Sequence, residues 1–258
     1  MTSCNYTYSS PSRFAIGVLS ISAIQVEFRN YLLKALVAAD RQAILPHLTE
    51  ISLERGQVLF EPGDLVGQVY FPSNAVLSIA TVMGDGRAVE SATVGHESAT
   101  PLLWALSDAP SKARIFAQIG GAAIRMSAAV LRANAAESPT LMVLLYRHAA
   151  SLSFQAEQGV ACNILHEAPA RLARWLLMTQ DRTGSRSLPL TQEYMSVMTG
   201  VQRTTISAIA NQLRSAGLIR FSRGNVEVVD RPALEAFACE CYGAIRMEFD
   251  GLQGRQEI

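Results

Sequence analysis

Apolar residues recur along this chain in two rhythms, and the switches between them mark its parts. In "NYLLKALVAADRQAILPHL" Leu32, Leu33, Leu36, Ile44 and Leu48 suggest short helices, broken by Pro46. From Ile51 to Glu97 the runs become short and β-branched or alternating. Turn formers separate them at Arg55-Gly56, Glu61-Pro62-Gly63-Asp64, Pro72-Ser73-Asn74 and Gly84-Asp85-Gly86. Strands punctuated every ~8–12 residues predict an antiparallel sandwich or roll. The segment "ARIFAQIGGAAIRM" reads as one more hairpin around Gly120-Gly121 that closes it.

The helical period then returns. Ser138 is an N-cap candidate and Pro139 suits a first helical position, so one helix of about 27 residues is expected from there to about His166. Along it Leu141, Leu145, His148, Leu152, Gln155, Gly159 and Cys162 alternate spacings of four and three, which is a heptad seam. Two partners suit such a seam: the chain's own β domain, or the same helix of a second copy.

A third block starts near Glu167. Leu172, Trp175, Leu176 and Thr179 share one helical face, followed by a polar loop from Asp181 to Ser187. A short helix with Thr191 as N-cap candidate turns Met195 and Met198 inward and stops at Gly200. The next helix places Ile206, Ile209, Ala210 and Leu213 at helical spacing and ends before Gly217. "LIRFSRGNVEVVD" reads as two strands around Ser222-Arg223-Gly224-Asn225, and "RPALEAFACECY" as a terminal helix capped by Asp230. The expected division is an extension over 1–28, a β-roll over 29–137, the long helix over 138–166, a third domain over 167–243 and a tail over 244–258.

Charge sharpens this division. The 258 residues carry no formal net charge, yet from 171 to 224 eight arginines face two acids, a local +6 that the remainder must balance with −6. A basic block on an acidic remainder suits a nucleic-acid-binding module fused to something else. The four cysteines, Cys4, Cys162, Cys239 and Cys241, are too few and scattered for a disulfide framework and suit a reducing, cytoplasmic setting. The apolar run "FAIGVLSISAI" is far shorter than the ~20 residues that span a bilayer, so no membrane partner is expected.

Helix, glycine turn, helix and hairpin is the order of a winged helix-turn-helix. In that arrangement the rear of the second helix packs on the first, and its amino-terminal turn enters the DNA major groove. "GVQRTTIS" supplies such a turn: Gln202, Arg203, Thr204 and Ser207 offer groups for base edges. Arg203 leads, because its planar fork can meet guanine O6 and N7 together. Thr191, Gln192, Thr205 and Arg223 are placed for phosphates. An ordinary solvated helix start would look similar in isolation; the hairpin and the local charge favour DNA.

With those residues in view, the chain resembles the Crp/Fnr family of bacterial transcription regulators over roughly residues 30–242, most specifically in "LTQEYMSVMTGVQRTTISAIANQLRSAGLIRFSRGNVEV". The resemblance implies an α+β fold: an antiparallel cyclic-nucleotide-binding-like β-roll, a long dimerisation helix and a winged helix-turn-helix. It implies a homodimer that reads inverted repeats in double-stranded DNA and meets RNA polymerase. It also gives Arg203 base reading, and Thr191 and Thr205 phosphate contact. Thr204 and Ala208 stand where members reading the best-known half-site carry glutamate and a second arginine, so a different operator is expected.

Members that bind cyclic AMP use a Gly-Glu pair and a later Arg-Ser/Thr-Ala step. Here Gly95 and Glu97 flank His96, and Ser111-Lys112 stand where Arg-Ser/Thr belongs. Gly95, Glu97, Lys112 and Arg114 are the candidate pocket residues, but without the clamp arginine no cyclic nucleotide is expected. Control falls to an unidentified effector or to abundance, with no cofactor. The family's iron–sulfur sensors need an amino-terminal cysteine cluster, and only Cys4 lies there. Cys239 and Cys241 on one helix would diverge by ~200°, so no metal site is expected. Neither a nucleophile elbow nor a phosphate loop occurs, which argues against an enzyme. The alternative is a signalling or scaffolding protein whose β-roll binds a partner without reading DNA.

Overall fold

The computed structural model describes residues 28–222 and 224–254. Of the expected extension, all but Phe28 lies outside them; Phe28 is buried in the first core, with Arg41 over its ring at 4.9 Å. Asn30 then caps α1 (Tyr31–Lys34) by accepting from the Leu33 N–H at 3.2 Å. Helix α2 (Ala38–Ile44) follows, and Pro46 sits in a 3-10 turn, Leu45–His47.

Among the described residues seven strands build the roll: β1 (Thr49–Leu53), β2 (Val58–Phe60), β3 (Gln68–Pro72), β4 (Val76–Val82), β5 (Ala88–Val94), β6 (Arg114–Ile119) and β7 (Gly121–Ser127). They form two antiparallel sheets, ordered β1-β7-β3 and β2-β6-β4-β5. The hairpin expected at Gly120-Gly121 is therefore absent: β6 and β7 belong to different sheets. The glycines serve a crossing. A Cβ on Gly120 would stand 2.8 Å from the Leu53 carbonyl oxygen, and one on Gly121 2.5 Å from Asn74 Oδ1. Two helices went unseen in the sequence pattern, α3 (Leu102–Leu106) and the alanine-rich α4 (Ala128–Glu137).

Helix α5 spans Pro139–Leu165, 27 residues. Ser138 Oγ accepts from the Leu141 N–H at 3.2 Å and donates to Asp40 Oδ1 at 2.6 Å, so the cap also ties α5 to α2. The expected seam faces inward. Leu141 and Leu145 join the roll's core with Leu152 packed beside them, and His148 Nδ1 lies 3.2 Å from Ser98 Oγ. Gln155 donates to the Thr93 carbonyl at 3.0 Å, a Cβ on Gly159 would lie 3.9 Å from the Ser91 carbonyl oxygen, and Cys162 is buried beside Cys239. The seam thus packs against the chain itself, the first of its two expected partners, and these residues are not a surface for a second copy. On the opposite face Val143, Tyr146, Ala150, Ser153, Glu157, Val160 and Ile164 are exposed, again at spacings of three and four.

Helix α6 (Ala168–Thr183) runs two residues past Asp181, where a loop was expected, because its last turn bonds back on itself. Arg182 Nη1 donates to the Met178 carbonyl at 3.1 Å and Thr183 Oγ1 to that of Thr179 at 3.1 Å, before Gly184 ends the helix at φ 66°. Then come β8 (Ser187–Leu188), α7 (Gln192–Thr199), α8 (Arg203–Ser215), β9 (Ile219–Ser222) and β10 (Asn225–Val228). The strands form a sheet ordered β8-β10-β9, one strand more than the expected hairpin.

The carboxy terminus departs from expectation twice. The helix capped by Asp230 is α9 (Arg231–Phe237) and stops there; a new helix, α10 (Cys241–Gly254), begins at the second cysteine. The expected tail is thus largely helical, its Ile245 and Phe249 buried in the second core and its Glu248 accepting from Ser151 Oγ of α5 at 2.7 Å. That second core, under α6, α7 and α8, also takes in Ala80 and Phe116 of the roll, so the two domains dock. At the junction the Trp175 indole N–H donates to Glu90 Oε1 at 2.7 Å, while Ser78 Oγ lies 2.6 Å from Glu90 Oε2.

Candidate nucleic-acid interface

Thr191 starts α7 by accepting from the Tyr194 N–H at 3.1 Å, and Gly200 ends it in the left-handed region at φ 66°. Ser196 Oγ then donates to the Val201 carbonyl at 2.6 Å, which pins the turn into α8. The rear of α8 is fixed by burial: Ile206, Ile209, Ala210 and Leu213 all lie in the interior. Its front is not. Gln202, Arg203, Thr204 and Thr205 are exposed, and among the described residues their side chains make no hydrogen bond or ion pair. A fixed helix therefore presents a free guanidinium, amide and two hydroxyls at an amino terminus whose partial positive charge favours phosphate.

The other expected DNA contacts fare differently. Ser207 Oγ lies 2.8 Å from Gln192 Oε1 and 3.0 Å from the Arg203 carbonyl, so these two candidates lock α8 to α7. Thr191 sits beside the hairpin turn, where a Cβ on Gly224 would meet its methyl at 3.8 Å. Arg223 lies outside the described residues. Nor is the arginine block uniformly available. Arg171 donates to Asn163 Oδ1 at 2.6 Å, Arg174 to Met178 Sδ at 3.3 Å, and Arg220 pairs with Glu227 at 2.7 Å. Arg182 is buried altogether. Among the described residues Arg186, Arg203 and Arg214 keep exposed side chains without a partner.

The four candidate pocket residues do not converge. Glu97 Oε1 accepts from Arg182 Nε at 2.7 Å and from the Gly95 N–H at 3.0 Å, both side chains being more than nine-tenths buried. Burial pushes the Glu97 carboxyl up, but Arg182 and the Gly95 N–H outweigh it and hold it below the usual range. A Cβ on Gly95 would stand 2.5 Å from Arg182 Cγ, so the glycine makes room for an arginine of this chain, not for a ligand. Arg114 pairs instead with Glu61 at 2.9 Å. Lys112 lines a separate cavity of about 280 Å³ between β4, β5, α3 and α5, with Trp104, Ser91 and Ser153. His148 lies under the roll, where burial holds its imidazole down to about 4 and so neutral. Sequence reasoning missed Arg182, Trp175 and Glu90 as an interdomain set, because Arg182 fell in a segment read as loop.

A model of the Crp-like helix-turn-helix domain matches residues 170–237, which span α6 to α9. A transcriptional regulator assigned to the Crp/Fnr family from Eubacterium rectale superposes with a TM-score of 0.62 at 17% identity, over 80% of this chain and 96% of its own. The present chain has the Crp/Fnr regulator fold.

Two further structures share the Crp/Fnr architecture, each at a TM-score of 0.62. A CRP-family transcriptional regulator from Thermus thermophilus is 20% identical over 73% of this chain and 96% of its own. The c-di-GMP-responsive global regulator CLP of Xanthomonas campestris is 13% identical over 75% and 100%. No curated protein matches the chain by sequence. Helices α7 and α8, with the β9–β10 hairpin after them, lie within the residues matched by the Crp-like helix-turn-helix model. Among the described residues no helix is long and apolar enough to cross a membrane.

Proposed function

We propose that the chain is a homodimeric, sequence-specific transcription regulator that reads an inverted repeat through the first turn of α8. One observation carries this reading: four exposed, unpartnered polar side chains stand in a row on a helix whose other face is fully buried. Arg203 reads guanine, Gln202 and Thr204 touch neighbouring base edges, and Thr191 and Thr205 hold phosphates. Ser207 and Gln192 set the angle between the two helices.

The dimer forms through the exposed stripe of α5. Its spacing of three and four is self-complementary, and Val143, Val160 and Ile164 are 49%, 63% and 77% exposed in the single chain. Half-sites then lie about one helical turn apart. Cyclic nucleotide has no place in this reading, since Glu97 is already bonded to Arg182. An effector enters the cavity beside Lys112, or control rests on abundance.

Selection of binding sites from a random DNA pool, with sedimentation of the protein alone, tests the proposal. Two-fold symmetric sites bound by a dimer are expected, and a Val160→Glu, Ile164→Glu variant is expected to sediment as a folded monomer. Recovered sites without symmetry, or no selection at all, would contradict it. The docking of α6 and α7 on the roll gives the scaffolding alternative its one support. In that case no DNA is enriched.

A further inference from the structure

At the far end of α5, away from the reading turn, four metal-ligating side chains come together from three elements. Cys162 lies in the last turn of α5, and His166 is the extended residue that follows the helix. Cys239 precedes α10 and Cys241 opens it. The break between α9 and α10 brings the two sulfurs to one side, which a continuous helix could not do. Cys162 Sγ lies 3.5 Å from Cys239 Sγ, Cys241 Sγ lies 3.5 Å from His166 Nδ1, and all four donor atoms fall within 4.8 Å of one another. A tetrahedral zinc with Zn–S near 2.3 Å and Zn–N near 2.0 Å holds its donors roughly 3.5–3.8 Å apart.

We propose that Cys162, His166, Cys239 and Cys241 form a Cys₃His site for a tetrahedral, thiophilic divalent cation, zinc by its chemistry.

The surroundings favour a ligand set over plain packing. The three cysteines are buried, yet they form a cluster apart from both large cores, with Ala170 the partly buried hydrophobic against them. Outer contacts are those a metal site uses. His166 Nε2 faces Glu240 Oε2 at 3.0 Å, which leaves Nδ1 for the ion, and Gln158 donates an N–H to Cys241 Sγ at 3.1 Å. Three sulfurs and an imidazole select zinc over magnesium or calcium. Because α5 ends at Leu165 and α6 begins at Ala168, the ion would fasten the long helix to the α9–α10 junction across that break. It thereby fixes how the DNA-reading domain sits on α5.

The test uses the full-length protein purified under reducing conditions without chelator. Zinc is expected to co-purify at one ion per chain and to be released by a mercurial thiol reagent. Cobalt(II) added to the metal-free chain should give tetrahedral d–d bands and thiolate charge-transfer absorption. Cys162→Ser should bind cobalt at least tenfold more weakly. Glu240→Ala, at an exposed position, keeps the test open if that variant does not fold: it should lose about 10–100-fold in affinity. His166→Cys should retain the ion with stronger thiolate absorption. A metal-free chain in which Cys162, Cys239 and Cys241 all titrate freely, an octahedral cobalt spectrum, or a Cys162–Cys239 disulfide in its place would overturn the site.

Discussion

The end of α6 and the start of α8 each present an arginine from the same basic block, and the fold uses them in opposite ways. Arg182 is 5% exposed at its side chain and bonds Glu97, the Met178 and Thr93 carbonyls and Gln155. Arg203 is exposed and has no partner among the described residues. One joins the domains; the other is left for something outside the chain. The difference teaches that a local charge sum counts residues, whereas DNA sees only guanidinium groups that no acid of the same chain has engaged.

Stability should separate the two regions most strongly. Arg182→Ala leaves Glu97 buried without its cation, and breaking such a pair costs about 3–5 kcal/mol. Arg203→Ala should stay within about 0.5 kcal/mol of the wild type. Urea unfolding of both variants checks this, and similar losses would erase the contrast.

Glu90, beside the Arg182 region, gives a pH signature. Burial pushes its carboxyl up from 4.5 to about 7, against the hydrogen bonds from Ser78 and Trp175. The folded chain therefore keeps a proton that the unfolded chain has released. Its contribution is full below pH 4.5 and is lost as pH rises through about 7. The expected size is on the order of 1–3 kcal/mol, discounted for the part of the side chain that water reaches. Glu90→Gln should flatten this stretch of the stability–pH curve, and an unchanged slope would assign it elsewhere.

On the α8 side the effects should be on sequence preference. Thr204→Glu with Ala208→Arg should move the preferred half-site by about 1–3 kcal/mol of base discrimination while leaving the melting temperature in place. Ser207→Ala is the smallest. Loss of its bond to Gln192 should cost about 0.5–1.5 kcal/mol of stability and leave base preference intact. A changed preference would return Ser207 to the base-reading set.

What the sequence shows, and what it hides, follows the same line. Thr191, Gly200 and the buried set Ile206, Ile209, Ala210 and Leu213 were legible because caps and periodicity are local. The start of α5 was legible for that reason too, through Ser138 and Pro139. Its partner was not: heptad spacing occurs on two faces, and only the folded roll decides which one it covers. Gly120-Gly121 looked like a turn because glycine signals a tight path without saying whether a turn or a sheet crossing needs it. Cys239 and Cys241 do not share one helix as expected, because nothing in "AFACECY" announces that the helix stops at Phe237. Gly95 and Glu97 were found, but their partner Arg182 lies 85 residues on from Glu97.

The central claim is that α8 reads bases with an arginine the fold has left free. Selection from a random DNA pool by the wild type and Arg203→Ala, each confirmed as folded by thermal unfolding, tests it most directly. A symmetric consensus is expected from the wild type, and from the variant weak binding without base preference. The same consensus from both proteins would contradict the account.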